Sequence, residues 1–328
     1  MKKLILLISS LLVITSCSNI KTIKEPLTKL PKEFYKEENG NFNGNYFYEF
    51  NANKYELPVS FNFKFDDLIT LDNNVYHKDL AKLALLFCAC ESNINNLKVY
   101  NSENDIDLSD GYFYEELGVG DITSYQLIDN VGEIDKCDTT KVVMSYKEYN
   151  NYDFIFLSFE ATQNNDEWIS NFDVGSDSDN YIGSTNWIDK LNHKGFDVAS
   201  NRIYKEVNKY ISKKSNNQNQ IIFVSGFSRG AAVANIVSKM LNDEYDSKIY
   251  SYTFACPPTT ISKSANKYHN IFNIINMDDI ITQILYPYGY TRYGNDMNIS
   301  AYFTLDNFYS ELVNSSSRGT LKYAHQNK

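Results

Sequence analysis

The chain has 328 residues, 43% of them hydrophobic and 22% charged, enough for one large globular domain with or without a small extra module. That balance excludes a disulfide mini-protein, a collagen and a disordered chain. Lys plus Arg number 31 against 41 Asp plus Glu, a net charge of -10, so the chain has no overall field to draw in nucleic-acid phosphates.

The first residues read as a targeting segment. Met1-Lys2-Lys3 is a short positive start, and Leu4 to Ile14 is an apolar run interrupted only by Ser9 and Ser10. The run is shorter than the roughly 20 residues that span a bilayer, and it has the layout of a signal peptide. It ends Ile14-Thr15-Ser16-Cys17, which resembles the bacterial lipoprotein box, in which the Cys receives lipid. The expectation is a signal peptide over 1–16, a lipidated Cys17 with a tether over 17–60, and a folded domain over 61–328. The protein would then be exported and held to a membrane by its anchor, facing the periplasm or the cell exterior. Pro26, Pro31 and Pro58 fall in the tether, which reads as irregular.

His77 to Glu91 reads as a helix, with Leu80, Leu83, Ala84, Phe87 and Cys88 forming one apolar stripe. Cys88 and Cys90 lie two apart on it and point to different sides. With Cys137 and Cys256 they allow three disulfide pairings, or four buried thiols; their spacings do not resemble a zinc site. From about residue 140 short apolar strands alternate with helices. Lys141 to Tyr146, Asp153 to Phe159, Ile221 to Ser225, Ile249 to Phe254 and Ile271 to Ile275 read as strands. Ala199 to Lys213 and Arg229 to Leu241 read as helices. The alternation predicts an α/β fold, a mostly parallel sheet covered by helices on both faces.

Gly226-Phe227-Ser228-Arg229-Gly230 follows one strand directly and opens the next helix. A G-x-S-x-G in that setting makes a nucleophile elbow, with small residues two away from the serine. The helix start offers backbone N–H groups to a developing oxyanion. The serine needs a base and an orienting carboxylate, expected in the order Ser, Asp, His. Two histidines follow. His269 precedes a strand and so sits at the wrong end of the sheet, which favours His325. Asp278 and Asp279 both follow the strand Ile271 to Ile275, and spacing does not separate them.

Five short segments resemble the class 3 lipase family, in the family's order. GFSRGAAVAN at 226–235 resembles its G-H-S-x-G-G-A elbow, and Tyr252 to Pro257 its T-F-G-x-P strand end. Asn276 to Ile281 resembles its N-x-x-D-x-V segment, and His193 to Phe196 its H-x-G-F. Ile155 to Thr162 resembles its strand ending F-R-G-T/S, and Trp168 follows as in the family. The resemblance implies an α/β-hydrolase fold. It assigns the acid to Asp279 and the oxyanion donors to Thr162, by its N–H and hydroxyl, and to the N–H of Arg229. Glu160-Ala161 stands where the family has Arg-Gly, and Phe227 where it has His.

The expected function is a serine hydrolase of carboxylic esters, a lipase or esterase acting on lipids through an acyl-enzyme on Ser228, Asp279 and His325. No metal or cofactor is implied, and the partners are the ester substrate and the membrane that holds Cys17, not a nucleic acid. A lipoprotein that keeps the scaffold but only binds a lipid or partner is the alternative, motivated by Glu160-Ala161. Transfer of the acyl group to an acceptor other than water would use the same residues. Tyr286 to Tyr293 reads as the wall of an acyl pocket or as plain packing. His193 reads as structural.

Overall fold

The computed structural model describes residues 41–50, 53–54, 59–91, 97–101, 114, 117–128, 139–160, 191–215 and 219–299. Cys17, Cys137, Ala161, Thr162, Trp168 and His325 lie outside them.

The central sheet has seven strands. They are β5 (Gly120–Ile128), β6 (Thr139–Tyr149), β7 (Tyr152–Phe159), β8 (Gln220–Phe227), β9 (Lys248–Phe254), β10 (Ile271–Asn276) and β11 (Asn295–Ile299). Their order is β11-β10-β9-β8-β7-β6-β5, which puts β8 at the centre. From β7 to β11 every pairing is parallel, and β5, β6 and β7 pair antiparallel. The parallel core explains the unbroken apolar runs of β7 and β8, which are buried on both faces. β6 turns into β7 through Asn150 and Asn151, both at positive φ, 49° and 62°. Such a two-residue turn matches the twist of a hairpin, and asparagine tolerates it.

Helices cover both faces. α3 (Lys194–Lys214) connects β7 to β8, and α4 (Arg229–Glu244) connects β8 to β9. The chain steps across the sheet in one direction, so right-handed crossovers place both helices on the same side. Ile203, Val207 and Ile211 of α3 pack there with Val233, Val237 and Leu241 of α4, over Ile155, Leu157, Ile222 and Val224. α2 (Lys78–Glu91) covers the other face with the expected stripe, and Leu80, Leu83, Ala84, Phe87 and Cys88 are all buried. The Phe87 ring meets Phe156 at 5.3 Å and Phe223 at 6.0 Å. Each such side chain contributes about 1.5–3 kcal/mol by leaving water.

The expected tether corrects to structure. Within 17–60 lie β1 (Asn41–Phe50), β2 (Asn53–Lys54) and the first residues of β3 (Val59–Lys64). With β4 (Leu97–Asn101) they form a four-stranded antiparallel sheet. In the sequence of β1, Phe42, Tyr46, Tyr48 and Phe50 fall at every second position, broken by Gly44, and asparagines, Phe47 and Glu49 fall between them. That period of two is a strand signal which the abundant Asn and the nearby prolines obscure. A short helix, α1 (Phe65–Thr70), follows β3. β9 ties down its end: Tyr250 Oη donates to the Leu71 carbonyl at 2.6 Å and Lys248 Nζ to that of Ile69 at 2.7 Å. Strand order, parallel core and helices on both faces make this an α/β-hydrolase fold. Among the described residues no helix is long and apolar enough to cross a membrane.

Candidate active site

Ser228 stands between β8 and α4, the single residue that turns the central strand into a helix. Its backbone lies at φ 55° and ψ -121°, a region that residues with a Cβ rarely adopt. Its N–H donates to the Phe254 carbonyl at the end of β9 (2.9 Å), and its carbonyl accepts from Ala232 N–H (3.1 Å). These bonds hold the strained turn at both ends. The residue is 8% exposed.

The two glycines of the motif have a measurable cause. A Cβ on Gly226 would lie 2.7 Å from the Gly230 carbonyl oxygen and 2.8 Å from Ala234 Cβ. A Cβ on Gly230 would lie 2.3 Å from the Glu160 oxygen and 2.4 Å from the Phe159 oxygen. The first turn of α4 therefore rests directly on the main chain at the end of β7. Arg229 is buried behind it, its guanidinium 5.7 Å from the Phe196 ring centre.

The end of β10 separates the two aspartates. Asp278 is exposed, whereas Asp279 is 2% exposed and caps a short 3₁₀ turn, accepting from Ile281 N–H at 3.0 Å. Its N–H bonds the Asn276 carbonyl at 3.1 Å. Burial at the carboxyl end of a strand is what an orienting carboxylate requires, and only Asp279 has it.

Position 160 shows how the departure from the resembled pattern is accommodated. The Glu160 side chain is buried, and Lys141 Nζ of β6 lies 3.6 Å from its carboxylate. Its N–H also donates to the Lys141 carbonyl at 3.1 Å. A basic residue on the neighbouring strand thus offsets the reversed charge. Lys141 carried no functional signal in the sequence, since only the pairing of β6 with β7 brings it there.

The three described histidines stand in different settings. His269 is exposed and precedes β10, at the opposite edge of the sheet from Ser228. His77 is bonded to the Asp72 carbonyl (2.9 Å). His193 is fully buried at the start of α3, its ring stacked on Phe196 at 4.2 Å, and its backbone N–H donates to the Thr259 carbonyl at 2.7 Å.

Cys256 is a buried thiol whose Sγ donates to the Pro257 carbonyl at 3.2 Å. As a thiol Cys256 takes part in no disulfide; Cys137 lies outside the described residues. Burial pushes the thiol up to about 12. It should stay unmodified by iodoacetamide in the native chain at pH 8 and react once the chain is unfolded, as read by peptide mass mapping. Ala255 precedes it at φ 49°, where the resembled family has glycine. Ala255→Gly should relieve about 1–2 kcal/mol of strain and cost about 0.4–1 through the unfolded chain. The expected net is a small rise in the urea midpoint, where most substitutions at a buried turn lower it.

The aromatic segment after the acid is divided. Tyr293 is buried, its hydroxyl donating to Asn192 at 2.7 Å, while Tyr288 is 70% exposed. Among the described residues no group of three or more His, Cys, Asp or Glu side chains is placed to hold a metal ion.

Residues 156–288 match the model of the class 3 lipase family. The match takes in the elbow, Asp279, Glu160 and His193, and it ends before His325. Among solved structures, the native Rhizomucor miehei lipase propeptide complex is 18% identical, covering 55% of this chain and 57% of that one with a TM-score of 0.39. The lipase from Rhizopus microsporus var. chinensis is 14% identical, covering 57% and 63% with a TM-score of 0.38. A triacylglycerol lipase from Penicillium expansum is 16% identical, covering 56% and 70% with a TM-score of 0.39. The chain thus spans less than two thirds of the first two. No curated protein matches it.

Proposed function

We propose that the protein is a serine hydrolase of carboxylic esters, a lipase or esterase acting on lipid substrates. The observation that carries the reading is the backbone of Ser228, strained at the junction of the central strand and α4 and buried beside helix N–H groups. The family match over 156–288 supports it.

In this reading Ser228 Oγ attacks the ester carbonyl, and His325 takes its proton and passes it to the leaving alcohol. Asp279 orients the imidazole and stabilises its charged form. The N–H of Arg229, at the positive end of α4, and the N–H and hydroxyl of Thr162 receive the oxyanion. Water then releases the acid. Cys17 would carry the lipid that holds the exported chain at its membrane.

The test is hydrolysis of short and long acyl nitrophenyl esters, with covalent labelling of Ser228 by an ester-like phosphonate. Label on the Ser228 peptide and a preference between chain lengths are expected. No turnover and no label would favour a chain that only binds on this scaffold.

A further inference from the structure

The turn that carries Asp279 is fastened by one buried guanidinium. Arg292 is 2% exposed. Its Nε donates to the Cys256 carbonyl at 2.6 Å, and its Nη2 donates to the Thr282 carbonyl. Its Nη1 donates to Tyr286 Oη at 2.5 Å and to Asp296 Oδ2 of β11 at 2.8 Å. Asp296 balances the buried charge and is itself held, with Asn273 Nδ2 donating to its Oδ1 at 3.1 Å.

Two of these contacts lead to the candidate site. Thr282 is fully buried, and its N–H and Oγ1 donate to the Asp279 carbonyl at 3.1 and 2.8 Å. Its carbonyl is the one that Arg292 holds. Cys256 lies two residues beyond Phe254, whose carbonyl accepts the Ser228 N–H. One rigid, planar group therefore bonds both the strand end that carries the nucleophile's turn and the turn that carries the acid. The sequence concealed this, because Arg292 sits 13 residues past Asp279 in an aromatic stretch with no motif around it.

We propose that Arg292 is a positioning residue that fixes Asp279 relative to Ser228 through Cys256 and Thr282. The inference rests on the serine-hydrolase reading above. Arg292 would touch neither substrate nor reacting atoms. Its fork of five donors meets several acceptors at fixed angles, whereas a lysine would keep the charge and lose the fork.

The experiment is a double-mutant cycle in the purified chain with a nitrophenyl ester: wild type, Arg292→Lys, Asp279→Asn and the pair. Arg292→Lys is expected to lower kcat by about tenfold or more and to change KM by less than about twofold, because misplacing a group by an ångström costs rate. In the Asp279→Asn background the same substitution is expected to cost less than about twofold, because the two act as one unit. Equal losses in both backgrounds, an effect on KM alone, or an unchanged kcat would each overturn the proposal and leave Arg292 a stabiliser of the fold. Should Arg292→Lys fail to fold by thermal melting, Tyr286→Phe takes its place. That change removes one outer partner of the guanidinium; a loss of about threefold, absent in the Asp279→Asn background, is expected, and an additive or absent loss overturns the idea. A wild-type chain that neither turns over ester nor labels at Ser228 would overturn the hydrolase reading with it; active wild type with additive losses overturns the positioning role alone.

Discussion

Replacing Ser228 by alanine is expected to lower kcat for ester hydrolysis by about 10⁴-fold or more while the chain still folds. The substitution removes one oxygen and keeps the Cβ, so the backbone at φ 55° and ψ -121° stays as strained as before. A second variant makes that strain visible. Ser228→Gly should be as inactive as Ser228→Ala but more stable, by about 1 kcal/mol, because glycine enters this region without a steric penalty. Urea unfolding of the two variants beside the ester assay reads both effects. A Ser228→Ala chain that still hydrolyses ester would remove the serine from the chemistry. A glycine variant less stable than the alanine one would mean that the turn stores no strain.

Gly230→Ala should destabilise the chain on the order of 3–5 kcal/mol and remove Ser228 labelling with it. On an ordinary exposed helix the same change would stabilise by about 1 kcal/mol, since alanine is the better helix former. Here the new methyl would meet two carbonyl oxygens, those of Phe159 and Glu160, at 2.4 and 2.3 Å. Both belong to the main chain, so neither can swing away as a side chain would. Either α4 rises from the end of β7 or β7 bends, and the elbow moves in both cases. The midpoint of urea denaturation and the rate of phosphonate labelling measure the two consequences. A stabilised or neutral variant would show that the helix start and β7 are not in the contact described.

The parallel half of the fold was legible because burial on both faces writes itself as unbroken apolar runs. β8, β9 and β10 begin and end within two residues of the expected bounds. α3 starts at Lys194, five residues before the expected Ala199, because its first turn adds polar bonds to the burial of Phe196. Asp197 there accepts from Asn192 at 2.7 Å and Asn201 at 2.9 Å. β11 and the amino-terminal strands were missed for a related reason: the former is short and polar, and in β1 asparagines and Gly44 interrupt the apolar positions, while β5 mixes apolar with polar residues and has no unbroken apolar run. At the site, Ser228 and its glycines were legible as a motif, since strain and close contact admit few residues. Spacing left Asp278 and Asp279 open and only the family resemblance chose Asp279; burial now distinguishes the two, Asp279 being enclosed and Asp278 exposed. Lys141 and Arg292 could not be read at all. Their importance comes from partners on other strands, and pairing across a sheet leaves no mark in the local sequence.

The seat of α4 on the carbonyls of residues 159 and 160 has an evolutionary corollary. A contact made of peptide oxygens is common to all twenty residue types, so the lineage could exchange what hangs from position 160 without shifting the elbow. The carboxylate that stands there is met across the ladder by the ammonium of Lys141. Positions 226 and 230 have no such latitude, because it is their missing side chains that the neighbouring backbone occupies. Divergence in this chain should therefore gather in the side chains that surround the elbow while the two glycines stay fixed.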